Sequence, residues 1–139
     1  MTAPLVTAIV VNWNGGAMLQ DALASLFAQT WPALEVILID NASTDGSADD
    51  AARRFGDRLV TIRNAKNEGF ARGNNIGFAA AKGEWVFLLN SDAEGEPNLI
   101  EELMRFVAGK PDVGQLACRV FRADQPQFFD SVGLLLYPD

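Results

Sequence analysis

Apolar and polar positions fall in alternating blocks along this chain, and the block lengths predict strands alternating with helices. Residues 6–11 form an apolar, β-branched run of strand length. Residues 18–29 follow with Leu19, Leu23, Leu26 and Phe27 at helical spacing, and Trp31-Pro32 ends that helix. A second buried strand is expected over 36–39, closed by Asp40-Asn41. Ser47 reads as the N-cap of a short helix over 48–55, with Asp49 and Asp50 in the first turn, where the helix dipole favours them. A third strand over 59–62, a helix over 70–81 ended by Lys82-Gly83 and a fourth strand over 85–89 continue the pattern. Glu96-Pro97 opens another helix, with Pro at its first position and Leu99, Leu103, Phe106 and Val107 as its buried face. Residues 113–120 read as a fifth strand. Strands separated by helix-length segments predict an α/β domain with a mostly parallel sheet, flanking helices and right-handed crossovers. Ligands of such sheets gather at the carboxyl ends of the strands.

The bulk numbers narrow the chemistry. A chain of 139 residues that is 49% hydrophobic fits one globular domain with a real core. Its net charge of −7 argues against a nucleic-acid surface, which needs clustered Lys and Arg. The same charge would repel an anionic ligand, and a bound cation removes that difficulty. Cys118 is the single cysteine and lies in an apolar run, so it reads as a buried structural thiol with no disulfide partner in the chain. No basic region precedes the first apolar stretch, and Asn12 and Asn14 interrupt it. Neither a signal peptide nor a span of about 20 apolar residues is expected, and a cytoplasmic location follows. Residues 130–139 hold Val132, Leu134, Leu135, Leu136 and Tyr137, which suggests an edge strand, an oligomer contact or a chain cut short, the last being favoured.

Candidate chemistry lies at the predicted strand ends. Asn90-Ser91-Asp92-Ala93-Glu94 directly follows the fourth strand and aims carboxylates above the sheet edge. Mg²⁺ and Mn²⁺ need such oxygen ligands, and a chain without histidine must hold a catalytic metal through carboxylates. An ordinary polar turn is the equal alternative on this stretch alone. The first strand ends in Val11-Asn12-Trp13-Asn14-Gly15-Gly16, where Trp13 could stack on a flat ring and the flanking amides could bond its edge. Taken alone, a core Trp before an Asn-Gly turn is the plainer reading. Asp40 ends the second strand and could accept a hydrogen bond from a ribose or a base N–H, with a turn or cap role as the alternative. Gly69, Gly73 and Gly77 share one helical face. Each weakens a helix by about 1 kcal/mol relative to Ala, so close approach to the sheet or to a ligand must repay it. Lys66 and Arg72 read as solvated rather than diphosphate-facing. The dinucleotide fingerprint G-x-G-x-x-G and the phosphate loop G-x-x-x-x-G-K are both absent after the first strand.

The runs "VTAIVVNWNGG", "LEVILIDNASTDGS" and "NEGFARGNNIGFAAAKGEWVFLLNSDAE" together resemble family-2 glycosyltransferases of the GT-A fold, which is Rossmann-like, in the flavour of the bacterial rhamnosyltransferase-like group. The resemblance covers about residues 5–108 in order and spacing. It implies a nucleoside diphosphate sugar, UDP- or dTDP-linked, bound with Mg²⁺ or Mn²⁺. Trp13 would stack on the base, with Asn14 beside it, and Val11 and Asn12 would offer strand-end backbone groups. Asp40 would bond the base or ribose, while Asn67, Gly69 and Asn75 would line the nucleotide cleft. The family's D-x-D motif falls on Asn90-Ser91-Asp92, whose first Asp is here Asn, where related members often read N-P-D. Asp92 becomes the metal ligand, Asn90 and Ser91 face the ribose or diphosphate, and Glu94 helps at most through a water. Inverting members also use a carboxylate general base in the later half of their domain. No matching acidic motif appears in these 139 residues, so the base is expected beyond Asp139. The chain is then the donor-binding part of the domain, truncated before the acceptor-binding half, and transfers sugar poorly alone. A glycan or lipid-linked acceptor is implied, and peripheral association with the inner membrane face and a homodimer stay open. Two other readings stand beside this one: a sugar nucleotidylyltransferase, which lacks its usual cationic Gly-rich loop here, and a non-catalytic nucleotide-sugar-binding module.

Overall fold

Seven consecutive residues without a charge, "VTAIVVN", form β1 (Val6–Asn12), and all seven are buried. Such a strand needs partners on both edges and cover on both faces. β2 (Leu34–Asp40) pairs parallel on one side and β4 (Trp85–Asn90) parallel on the other, while β3 (Leu59–Arg63) extends the sheet beyond β2. The order is therefore β3-β2-β1-β4, all parallel, as the alternating blocks predicted. This computed structural model describes residues 3–131, so the apolar run 132–139 lies outside the described residues. Two compact units are present, Met1–Glu102 and Leu103–Asp139. Among the described residues no helix is long and apolar enough to cross a membrane.

Helices connect the strands. α1 (Gly16–Phe27) starts two residues before the expected position and buries Leu19, Ala22, Leu23 and Leu26. α2 (Ser47–Phe55) takes Ser47 as its first residue and has Gly46, in the left-handed region at φ 81°, before it. The expected N-cap role of Ser47 is thus corrected: Asp45 Oδ1 accepts both the Ser47 N–H and its hydroxyl. Phe27 and Phe55 stack with centroids 4.7 Å apart, joining α1 to α2.

α3 (Phe70–Ala80) settles the glycine puzzle. A Cβ at Gly73 would lie 2.8 Å from Val11 Cγ1, and one at Gly77 would lie 2.6 Å from Ile9 Cγ2. Both glycines let the helix press onto β1, against the cluster of Ile9, Val11, Ile37 and Ile39. Gly69 does something else, because it precedes the helix at φ 81° with nothing near its absent Cβ.

Four further expectations are corrected. α4 (Leu99–Val107) begins after a turn at Pro97-Asn98 rather than at Pro97. Its buried positions are Ile100 and Met104, with Phe106 53% exposed. Residues 113–119 form no strand, because only Val120–Phe121 (β5) finds a ladder partner, the antiparallel β6 (Phe129–Ser131). Cys118 is consequently half-buried rather than sealed in a core, although burial still pushes its thiol pKa up.

The amino edge of the sheet is closed by a polar knot. Buried Thr7 donates its hydroxyl hydrogen to Glu35 Oε2 at 2.7 Å and accepts the Gly83 N–H at 2.9 Å. The Lys82 N–H reaches the same Glu35 oxygen at 3.1 Å, and Lys82 Nζ lies 3.4 Å from Oε1. Burial opposes ionisation of Glu35, but the Thr7 hydroxyl and the Lys82 N–H and ammonium outweigh it, so the pKa falls below the ordinary 4.5. A carboxyl depressed in the folded state adds stability that is complete above its unfolded value and lost as pH falls through its folded one. Glu35→Gln should therefore flatten the acid side of the stability curve, read from urea midpoints between about pH 3 and 6. Gly77→Ala should cost about 1–3 kcal/mol by overpacking against Ile9, seen as a lower urea midpoint with unchanged m value.

Candidate functional site

Because all four strands run parallel, their carboxyl ends share one edge. Register sets Asn12 beside Asp40, Asp40 beside Arg63, and Val11 beside Asn90. The sequence thus brings Val11, Asn12, Asp40 and Asn90 to one row, with Trp13, Asn14, Ser91 and Asp92 in the loops just beyond.

Asn12 is fully buried at 0% exposure, and its amide ties the β1–α1 and β2–α2 connections together. Nδ2 donates to Ser43 Oγ at 2.9 Å and Ser47 Oγ at 3.1 Å, and lies 3.4 Å from Asp40 Oδ1. Oδ1 accepts the Gly15 N–H at 3.1 Å. The Asn12 carbonyl is taken by the Asn41 N–H at 2.8 Å. The side chain of Asn12 thus braces the loops around it, and one of its carbonyl's lone pairs is already engaged. Val11 likewise turns its buried side chain to Gly73.

The next loop is stapled across. Asn14, at φ 54°, accepts the Thr44 N–H on Oδ1 at 2.8 Å and gives its own N–H to Ser43 Oγ at 3.0 Å. Asp45 Oδ2 accepts the Gly16 N–H at 2.9 Å. The Ser47 hydroxyl and N–H, and then the Gly16 N–H, hold the Asp45 carboxyl below its usual pKa. With both loops held, Trp13 stands 61% exposed beside the row. A flat apolar ring fixed at its base and open to water is suited to stacking on a planar ligand.

Asp40 is only 3% exposed. Its Oδ1 accepts the Ser43 N–H at 3.3 Å, and its Oδ2 lies 3.7 Å from Arg63 Nη1. Arg63 also bonds Asp49 Oδ1 at 2.7 Å through Nη2. Arg63 was missed in the sequence because the third strand was ended at Ile62. One more residue of strand carries the cation to the edge.

Beyond the row, Asn67 Oδ1 accepts the Gly69 N–H at 2.8 Å and shapes the turn before α3. Buried Asn41 donates to the Gly69 carbonyl at 3.2 Å and accepts from Asn64 at 2.7 Å. Asn75 is not brought to this edge. Gly73 and Gly77 face β1, and two residues from Gly73 is a turn of about 200°, so Asn75 lies exposed on the far side of α3. Its neighbour Asn74 is the buried one, bonding the Phe70 carbonyl at 3.0 Å. Glu68 draws Arg72 to 3.2 Å and Lys66 to 4.0 Å, and both cations stay exposed.

Asn90 and Asp92 are exposed and Ser91 is half-buried. Among the described residues no three His, Cys, Asp or Glu side chains converge into a metal cage. A single carboxylate on an open loop fits a hard cation that takes its remaining ligands from waters and a ligand's phosphates.

A parallel sheet with polar and acidic groups along its carboxyl edge, flanked by helices, is the frame of the GT-A glycosyltransferases. The sequence profile of glycosyl transferase family 2 matches residues 7–132, and the chain belongs to that family. It is 32% identical over 108 residues to glycosyltransferase GlyG of Streptococcus pneumoniae, covering 76% of this chain and 36% of that protein. The mannosyltransferase PcManGT of Pyrobaculum calidifontis, solved with GDP-Man and Mn²⁺, superposes with a TM-score of 0.75 at 30% identity, over 88% of this chain and 37% of that one. TarS of Staphylococcus aureus, solved with UDP-GlcNAc, shares the fold with a TM-score of 0.70 at 23% identity, over 75% of this chain and 31% of that one. The chain spans about a third of the length of the curated relatives it matches.

Removing the Asn12 amide strands several buried partners at once. Asn12→Ala should cost about 1–3 kcal/mol of stability. Asn12→Asp should cost more at neutral pH, because a second carboxylate would then face Asp40, and its excess should shrink as pH falls and one of them is protonated. Chemical denaturation of both variants at two pH values measures this.

Proposed function

We propose that this chain is the donor-binding part of an inverting glycosyltransferase, which takes a sugar from a nucleoside diphosphate sugar with the help of Mg²⁺ or Mn²⁺. The observation that carries the reading is the placement of Trp13, Asp40, Asn90 and Asp92 on one edge of a parallel sheet. Membership of the family and the likeness to a mannosyltransferase solved with GDP-Man and Mn²⁺ support it.

In this reading Trp13 stacks on the base and Asp40 accepts a hydrogen bond from the base or ribose. Asn14 borders the ring, and the turn of Asn67 and Gly69 walls the nucleotide cleft. Asn90 and Ser91 bond the ribose or diphosphate. Asp92 holds the cation, whose chemistry is to neutralise the charge that grows on the departing nucleoside diphosphate. The protein's own balance of −7 makes that neutralisation necessary, since few local cations would otherwise receive the leaving group. UDP or dTDP carries the donor sugar, and the acceptor is a glycan or a lipid-linked sugar met at the inner face of the membrane. Its general base comes from outside residues 1–139.

Calorimetry with UDP, dTDP and GDP, each with Mn²⁺ and with EDTA, tests the reading and names the base. One nucleotide should bind distinctly more tightly when Mn²⁺ is present. Asp92→Ala should abolish that gain while the fold stays intact. Trp13→Ala should weaken binding under both conditions by about 1–3 kcal/mol, the worth of one stacked base. Binding that ignores both substitutions sinks the proposal.

A further inference from the structure

The loop that carries Asp92 is anchored at both ends. At its start Asn90 pairs in register with Val11, and the Ala93 N–H donates to the Asn90 carbonyl at 3.1 Å. At its far end the anchors come from Ser25 on α1 and from Gln29 and Thr30 just past its end. Ser25 Oγ accepts the Gly95 N–H at 3.0 Å while donating to the Ala22 carbonyl at 2.7 Å. Gln29 Nε2 donates to the Glu96 carbonyl at 2.8 Å and to the Ser25 carbonyl at 3.1 Å. Its Oε1 accepts the Ile100 N–H at 3.0 Å. The Thr30 N–H donates to the Pro97 carbonyl at 2.8 Å. A Cβ on Gly95 would lie 3.3 Å from Gln29 Nε2, so the loop runs directly against this side chain.

These bonds have a specific geometry. Residues 93–96 belong to no helix or strand, so no ladder supplies partners for the Gly95 N–H or the Glu96 carbonyl. Two uncharged side chains supply them instead, Ser25 on α1 and Gln29 just past its end. An apolar residue in place of Ser25 would leave the Gly95 N–H without a partner, and one in place of Gln29 would leave the Glu96 carbonyl only the Leu99 N–H at 2.9 Å and release the Ile100 N–H, freeing the loop to shift. Only Ala93 and Glu94 separate Asp92 from the Gly95 amide, so displacement there is passed to the carboxylate through a short segment.

We infer that Ser25 and Gln29 are positioning residues for Asp92, holding its loop where the carboxylate and a diphosphate can share one divalent cation. The inference rests on the nucleotide-sugar reading above. Neither residue touches the strand-end row. They act through the Gly95 N–H and the Glu96 carbonyl.

The test uses the full chain with Ser25→Ala, Gln29→Ala and Ser25→Thr, the last keeping the hydroxyl. UDP affinity is measured with Mn²⁺ and with EDTA, and amide exchange is followed at residues 93–95 with β1 amides as the internal standard. In Gln29→Ala and Ser25→Ala the gain that Mn²⁺ gives should fall about tenfold, the usual effect of losing a group that orients a metal ligand. Affinity in EDTA should hold, exchange at 93–95 should rise, β1 should stay protected, and Ser25→Thr should match the unchanged chain. An unaltered Mn²⁺ gain, or equal losses with and without Mn²⁺, overturns the inference while leaving the nucleotide reading in place. An unchanged chain whose affinity for all three nucleotides ignores Mn²⁺ overturns the metal reading itself, and the positioning role falls with it.

Discussion

The side-chain amide of Asn12 is the contact on which the carboxyl edge depends. It sits at the end of the central strand, where the β1–α1 loop and the β2–α2 loop meet. Two N–H groups serve Ser43, Ser47 and Asp40, and the oxygen takes the Gly15 N–H. Two donors cannot satisfy three acceptors equally, and the distances rank them, with Asp40 the most distant at 3.4 Å. Asp40 therefore keeps hydrogen-bonding capacity although it is buried. The Ser47 hydroxyl can accept from Asn12 because its own hydrogen goes to Asp45 at 2.6 Å. Each member of the chain thus orients the next, and the result is a rigid rim carrying an exposed Trp13.

Much of this was legible in the sequence, and the limits have physical causes. Parallel strands are apolar runs, so β1 and β4 could be read to within a residue at their ends, while the four residues expected for β2 are the middle of a seven-residue strand. The helical spacing of Leu19, Leu23 and Leu26 did the same for α1. The pattern failed where a strand needs a partner that local sequence does not name. Residues 113–119 have strand composition but no neighbour, and form none. The three glycines show the same division. Their face was readable, but only the packing reveals that Gly73 and Gly77 serve β1 while Gly69 serves the turn.

The site residues divide in a similar way. A strand end tells where a residue stands but not whether its polar groups are already used. Asn12 and Asp40 looked equivalent in sequence, yet one is consumed by its neighbours and the other is not. Asn75 was named for the cleft, but helix phase buries its neighbour Asn74 and leaves Asn75 exposed. The bracing groups Ser43, Asp45 and Asn64 are turn residues that each bond a partner 23 to 31 positions away. No local pattern can show such pairings.

The two edges of the sheet use different kinds of polar contact, and the difference follows from what each edge meets. At the amino edge Glu35 and Lys82 form a charged pair around Thr7. That edge lies at the opposite end of the strands from the row of candidate site residues, so its fixed charge pair stands apart from them. At the carboxyl edge the bracing is done largely by neutral groups: Asn12 and Ser43 between the first two loops, Asn41 and Asn64 under the Gly69 turn, Ser25 and Gln29 beneath the Asp92 loop. Neutral amides and hydroxyls can be buried at modest cost when fully bonded, and they cast no long-range field. An anionic ligand arriving at this edge would be repelled by bracing carboxylates and captured in the wrong place by bracing cations. The charged groups there are already engaged: Asp45 with the Ser47 and Gly16 hydrogens, and Arg63 with Asp40 and Asp49. Asp92 and Glu94 stand exposed on a loop whose own bracing, by Ser25 and Gln29, is neutral.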